Sequence, residues 1–144
     1  FGVGPDPVSP LGDVPEWWSA GPNDKPGCGL YDDRYTFHLD AFKFDMATNG
    51  DVYIHNSFES AFPGSFQNLG DFTAPYEDQL GEQWSVVEED GEATLTVSNN
   101  SFIGFYTGVR SYRILSITDS TMSLQYDHEP ASEGLHWYLK LRAE

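Results

Sequence analysis

Two adjacent indoles, Trp17 and Trp18, stand in a stretch rich in Gly and Pro. A flat indole can lie against the C–H face of a pyranose ring, and its N–H can donate a hydrogen bond. Neighbours on an extended chain point to opposite sides. One Trp can therefore anchor the coil while the other faces out. Both can equally plug the end of a barrel, since large aromatics are more often core than site.

The second constellation is Tyr31-Asp32-Asp33-Arg34-Tyr35. Carboxylates and a guanidinium before a strand can grip sugar hydroxyls through charge-assisted hydrogen bonds. The same residues also read as a turn whose Asp side chains cap backbone N–H groups, beside a local Asp–Arg pair. Calcium is a third reading, through Asp32, Asp33 and backbone carbonyls, although no EF-hand spacing is present. Phe58, Phe62, Phe105 and Tyr106 are candidates for the wall of a groove. Phe105 and Tyr106 lie between Gly104 and Gly108, and glycine permits close approach inside a strand. Leu135, Trp137, Leu139 and Leu141 form an apolar face that belongs to the core; His136, Tyr138 and Lys140 then face outward.

Catalysis has little support. Glycosidases need two facing carboxyls, one with a raised pKa, whereas Asp32 and Asp33 are neighbours that diverge. Glu88, Glu89 and Asp90 read as a solvated turn. Ser-His-Asp, His-Glu-x-x-His and phosphate-loop patterns are missing. His38, His55, His128 and His136 are scattered and read as outward strand residues rather than ligands. The expectation is a binding domain without enzymatic activity and without a required cofactor.

The elements that must hold these residues are strands. Arg34 to Leu39 alternates, and Phe42 with Phe44 continues the pattern. Asn49-Gly50 is a strong hairpin signal leading into 51–55. Further strands are expected at 83–87, 93–98, 102–106, 112–118, 121–127 and 135–141. Residues 1–29 read as ordered coil, and 56–82 as a long apolar-studded loop. Eight or nine short strands predict an all-β fold, an antiparallel β-barrel or β-sandwich, spanning 1–144 as a single domain.

Seven Lys and Arg oppose 23 Asp and Glu, a net charge of −16. That field repels phosphate backbones and anionic membranes, so nucleic acid is excluded as a partner and a neutral ligand is favoured. Cys28 is the single cysteine, so no internal disulfide can form. No apolar run reaches the ~20 residues of a membrane helix. The opening Phe1-Gly2-Val3-Gly4-Pro5 reads as a cut within a longer multidomain protein, whose other domains would be neighbours of this one.

Gly2-Val3-Gly4-Pro5, Trp17-Trp18-Ser19-Ala20 and Gly29 to Phe37 together resemble a module of Bacteroidota. The Asn49-Gly50 turn, Phe102 to Tyr106 and Trp137-Tyr138-Leu139 add to the likeness. The module is the lipocalin-like carbohydrate-binding domain at the C-terminus of PKD-containing surface glycan-binding proteins. The resemblance implies polysaccharide utilization at the cell surface, as part of an outer-membrane lipoprotein, or in secreted form. It implies a β-glucan such as laminarin as ligand. It also implies a further strand ahead of Gly2.

The reading is thus a non-catalytic module for a neutral polysaccharide or oligosaccharide. Trp17 and Trp18 stack on it, while Tyr31, Asp32, Asp33 and Arg34 meet its hydroxyls. Two rivals remain: a lipocalin-type carrier with a Phe-lined cavity for a small apolar ligand, and a small glycan-active enzyme with facing carboxylates.

Overall fold

The computed structural model describes residues 1–5, 15–21, 23–130 and 135–144. The chain is all-β. The strands are β1 (Gly2–Pro5), β2 (Trp18–Ser19), β3 (Arg34–Phe37), β4 (Lys43–Ala47), β5 (Asp51–Ile54) and β6 (Phe66–Asn68). They continue with β7 (Asp71–Pro75), β8 (Gln79–Glu89), β9 (Glu92–Val97), β10 (Ser111–Ile117), β11 (Thr121–Tyr126) and β12 (Leu135–Arg142). Two 3-10 turns, η1 (Asp40–Phe42) and η2 (Asn56–Ala61), complete the described elements.

Nine strands form one antiparallel sheet in the order β2-β1-β12-β11-β10-β9-β8-β4-β3, and β5-β7-β6 form a second. The alternating segments behave as their patterns require. Phe44 and Met46 of β4, and Leu95 and Val97 of β9, are buried, while their neighbours are less so. β8 joins two halves of the large sheet: residues 79–83 pair with β4, and 84–89 pair with β9. The sheet curls far enough that Arg34 on β3 meets Glu144 beyond β12 at 2.8 Å. No pairing among the described residues joins its edges β2 and β3, so it is not closed into a barrel.

Segment 101–108 threads the space that the curl encloses. A strand is expected over 102–106; instead only one parallel bridge forms, Tyr106 to Ile54. Ser101 to Phe105 are buried, and buried backbone must find partners. Tyr112 Oη accepts from the Ile103 N–H and Tyr35 Oη from the Gly104 N–H, both at 2.8 Å. The Tyr106 N–H reaches the Tyr53 carbonyl at 3.0 Å. Side-chain hydroxyls here replace a sheet neighbour. Gly104 has φ +71°, and an added Cβ would lie 2.5 Å from Leu139 Cδ2. The glycine serves protein packing rather than ligand approach.

Other departures have local causes. Asn49 and Gly50 both take positive φ, 54° and 103°, as a tight turn demands. Yet β4 and β5 do not pair; they enter different sheets. Val52, Tyr53 and Ile54 are all fully buried, so β5 has no solvent face to lay beside β4. The expected coil 1–29 contains β1 and β2, which have no alternation to announce them; β1 pairs with β12 at the other end of the chain. The expected loop 56–82 holds η2, β6, β7 and the start of β8, all short or broken by Gly and Pro. Tyr138 is buried rather than outward, because β1 lies beside it and Gln125 Nε2 donates to its hydroxyl at 2.9 Å.

The core holds Phe44, Tyr53, Phe102, Phe105, Tyr112 and Trp137 among others. These rings occupy the interior that a lipocalin-type carrier would reserve for its ligand.

Candidate functional site

Trp17 and Trp18 both lie at the surface, with 54% and 43% of their area exposed. The expectation that one would be an anchor is met only in part. β2 is held by backbone bonds: the Trp17 N–H donates to Val3 O at 3.2 Å, and the Ala20 N–H to Phe1 O at 2.9 Å. Trp18 rests edge-on against Phe1, centroids 5.5 Å apart. Phe1 in turn stacks on Phe105 at 5.0 Å. The exposed indole is therefore seated on an aromatic column that reaches the core. Trp17 makes no ring contact of this kind among the described residues.

Lys25 organises this end. Its ammonium donates to Tyr53 Oη at 3.1 Å and to Leu69 O at 2.8 Å. It also lies 5.3 Å from the Trp18 ring, 5.5 Å from Phe1 and 5.2 Å from Tyr53. Each aromatic face attracts the cation. Tyr31 is 40% exposed, and partial burial of its hydroxyl raises its pKa above the ordinary phenol value. Trp18 and the exposed Leu69 thus meet at Lys25, with Trp17 beside Trp18 in the chain and Tyr31 also exposed.

The acidic and basic candidates separate. Asp32 is exposed and accepts from Asn49 Nδ2 at 2.9 Å. Arg34 is committed to Glu144 and to the carbonyls of Tyr31 and Asp33, at 3.3 and 2.9 Å. Asp33 is buried, and Tyr35 Oη donates to its Oδ2 at 2.8 Å. Its Oδ1 has no partner among the described residues. Burial pushes its pKa up to about 8, against the opposing Tyr35 hydrogen bond. Asp33 is out of reach of a polysaccharide. Among the described residues no three His, Cys, Asp or Glu side chains converge, and Asp32 and Asp33 each turn to a protein partner rather than to a shared calcium position.

The proposed groove wall divides too. Phe58, Phe62 and Tyr106 do meet, with Phe58–Tyr106 and Phe62–Tyr106 both at 5.1 Å. They are half-buried, and Tyr106 backs onto Phe102 at 4.7 Å. Phe105 is 1% exposed, stacks on Phe1 and meets Trp137 edge-on within the core. It is a support for the platform rather than a wall.

Three features escaped the sequence. Lys25 stands in an unpatterned stretch, and only the fold carries its ammonium to Leu69. Phe42, 58% exposed, meets Trp84 edge-on at 5.4 Å, and Trp84 Nε1 donates to His38 O at 3.0 Å. A shallow depression of about 500 Å³ is lined by Gly50, Pro75, Tyr76, Glu77 and Asp78. The Asn49-Gly50 signal pointed at its rim, but as a hairpin.

Trp17, Trp18, Tyr31 and Lys25 can offer two indole faces, a phenol and one cation to a flat ligand. The chain matches no protein-family model, and a search of curated proteins returns no match.

Proposed function

We propose that this domain is a non-catalytic carbohydrate-binding module that holds a neutral polysaccharide against Trp17 and Trp18. The observation that carries the reading is the joint exposure of these adjacent indoles on a braced strand. Exposed large aromatics cost solvation unless something covers them. A pyranose covers such a face without bringing charge. A net charge of −16 disfavours a polyanionic glycan. Tyr31 and Lys25 supply hydroxyl and ammonium contacts beside the rings, and Asp32 remains accessible as an acceptor. The likeness to surface glycan-binding domains points to a β-glucan such as laminarin, and to a surface or secreted location. Affinity per site is modest, because sugar hydroxyls exchange water for protein at small net gain.

Affinity gels containing laminarin, mixed-linkage glucan, xylan or alginate test this directly. Retardation by a β-glucan, lost in the folded Trp17→Ala/Trp18→Ala double variant, supports it. Unchanged mobility in every neutral glycan rules it out. Release of reducing sugar would mean an enzyme instead.

A further inference from the structure

His55 and His128, 73 residues apart in the chain, bring Nδ1 and Nε2 within 3.1 Å of one another. Ser57 Oγ completes a triangle, 2.8 Å from His55 Nδ1 and 3.3 Å from His128 Nε2. The two rings stand at 84° with centroids 4.4 Å apart. His55 follows β5 and caps η2; its Nδ1 accepts from the Ser57 N–H at 3.2 Å. Its ring is wedged edge-on against Phe105 and Trp137, at 6.0 and 5.9 Å. His128 follows β11 and leans on Phe58 at 5.6 Å. Both imidazoles are half-buried and pre-oriented.

One lone pair on His55 Nδ1 therefore faces three groups. A hydrogen bond between the rings satisfies only one of them. Two imidazoles bound to one tetrahedral Zn²⁺, with Zn–N of about 2.0–2.1 Å, would hold their nitrogens roughly 3.3 Å apart. The observed separation is close to that. We propose that His55 Nδ1 and His128 Nε2 bind a borderline divalent transition-metal ion, Zn²⁺ being the first to test, with Ser57 Oγ beside it.

Imidazole suits this class of metal. No third His, Cys, Asp or Glu joins them among the described residues, so water or an external ligand fills the remaining positions. Ser57 is exposed, and the ion would take from its N–H the lone pair of His55 Nδ1 that caps η2. The other two histidines are bonded to carboxylates: His38 to Asp45 and His136 to Asp127, each at 2.7 Å. They are the competing sites. The proposal is independent of glycan binding.

The test is Zn²⁺ titration of the full chain by calorimetry, alongside ring-nitrogen NMR of the histidines. One ion per chain is expected, with the His55 and His128 signals moving. His128→Gln should weaken binding at least about tenfold, since even outer-shell losses cost ~10–100-fold. His128 lies outside the strands, so this variant reads out binding even if His55→Gln, which removes a helix cap, fails to fold. No saturable binding, undiminished affinity in His128→Gln, or signals moving at His38 or His136 instead would each overturn the assignment.

Discussion

Tyr35 donates its hydroxyl proton to Asp33 Oδ2 at 2.8 Å while accepting the Gly104 N–H at the same distance. This relay ties the start of β3 to the buried 101–108 segment. Its acidic end is only half satisfied: among the described residues Asp33 Oδ1 is buried without a partner, and burial pushes the pKa of the carboxyl up to about 8.

The pH dependence runs opposite to that of a salt-bridged aspartate. Here the folded state holds a proton that the unfolded chain has released. Stability is greatest below about pH 4 as far as this group is concerned, and falls as pH rises toward 8. The limiting slope is about 1.4 kcal/mol per pH unit. Thermal melts of wild type and Asp33→Asn between pH 5 and 9 measure it. The wild type should lose Tm relative to the variant by roughly 4 °C per unit in mid-window. Parallel curves would show that Asp33 carries no such proton.

The two indoles should differ when removed singly. Trp17→Ala leaves the fold almost untouched, within about 0.5 kcal/mol, because its ring is largely exposed. Trp18→Ala loses the Phe1 edge contact and a cation–π partner, and should cost about 1 kcal/mol. Denaturant unfolding distinguishes them. Each should weaken β-glucan retardation by ~5–30-fold, a loss of about 1–2 kcal/mol.

Lys25→Met keeps the stem but removes the ammonium. The Tyr53 hydroxyl and the Leu69 carbonyl lose their charged donor. The expected cost is about 1–3 kcal/mol. Hydrogen exchange should show faster opening of β1 and β2 before any change in β9 to β11. Uniform acceleration across the sheet would contradict the role given to Lys25.

Gly104→Ala forces a Cβ onto Leu139 at φ +71°. Left-handed backbone costs about 1 kcal/mol for alanine, and the buried Leu139 must also shift. A loss of ~2–4 kcal/mol is expected. Adding Leu139→Ala should give a double variant less destabilised than the sum of the two single ones. Simple additivity would locate the strain elsewhere.

Much of the sheet was legible. The 93–98 and 112–118 segments alternate because one face is wetter, and they form β9 and β10; 121–127 and 135–141 form β11 and β12, although residues 123–126 and 137–139 are buried on both faces. Burial on both faces erased that signal elsewhere. Val52-Tyr53-Ile54 looks like any apolar run, so its choice of partner was unreadable. Segment 102–106 looked like a strand because its residues are apolar, yet its hydrogen bonds go to tyrosines. Trp17 and Trp18 announced themselves by type. Asp33 did not, because a buried acid and a solvated one read alike. The meeting of His55 with His128 depends on η2 and the end of β11, and no local spacing encodes it.

The curled sheet finishes with its last strand. Phe1 touches Trp137, Arg34 reaches Glu144, and Ile54 waits for Tyr106. Such distant pairings make folding slow. During synthesis the first half emerges with its rings bare and nothing yet to cover them. Nascent chains must be shielded, or kept unfolded, until β12 leaves the ribosome. Truncation inside β12 should therefore yield aggregates rather than a smaller working domain.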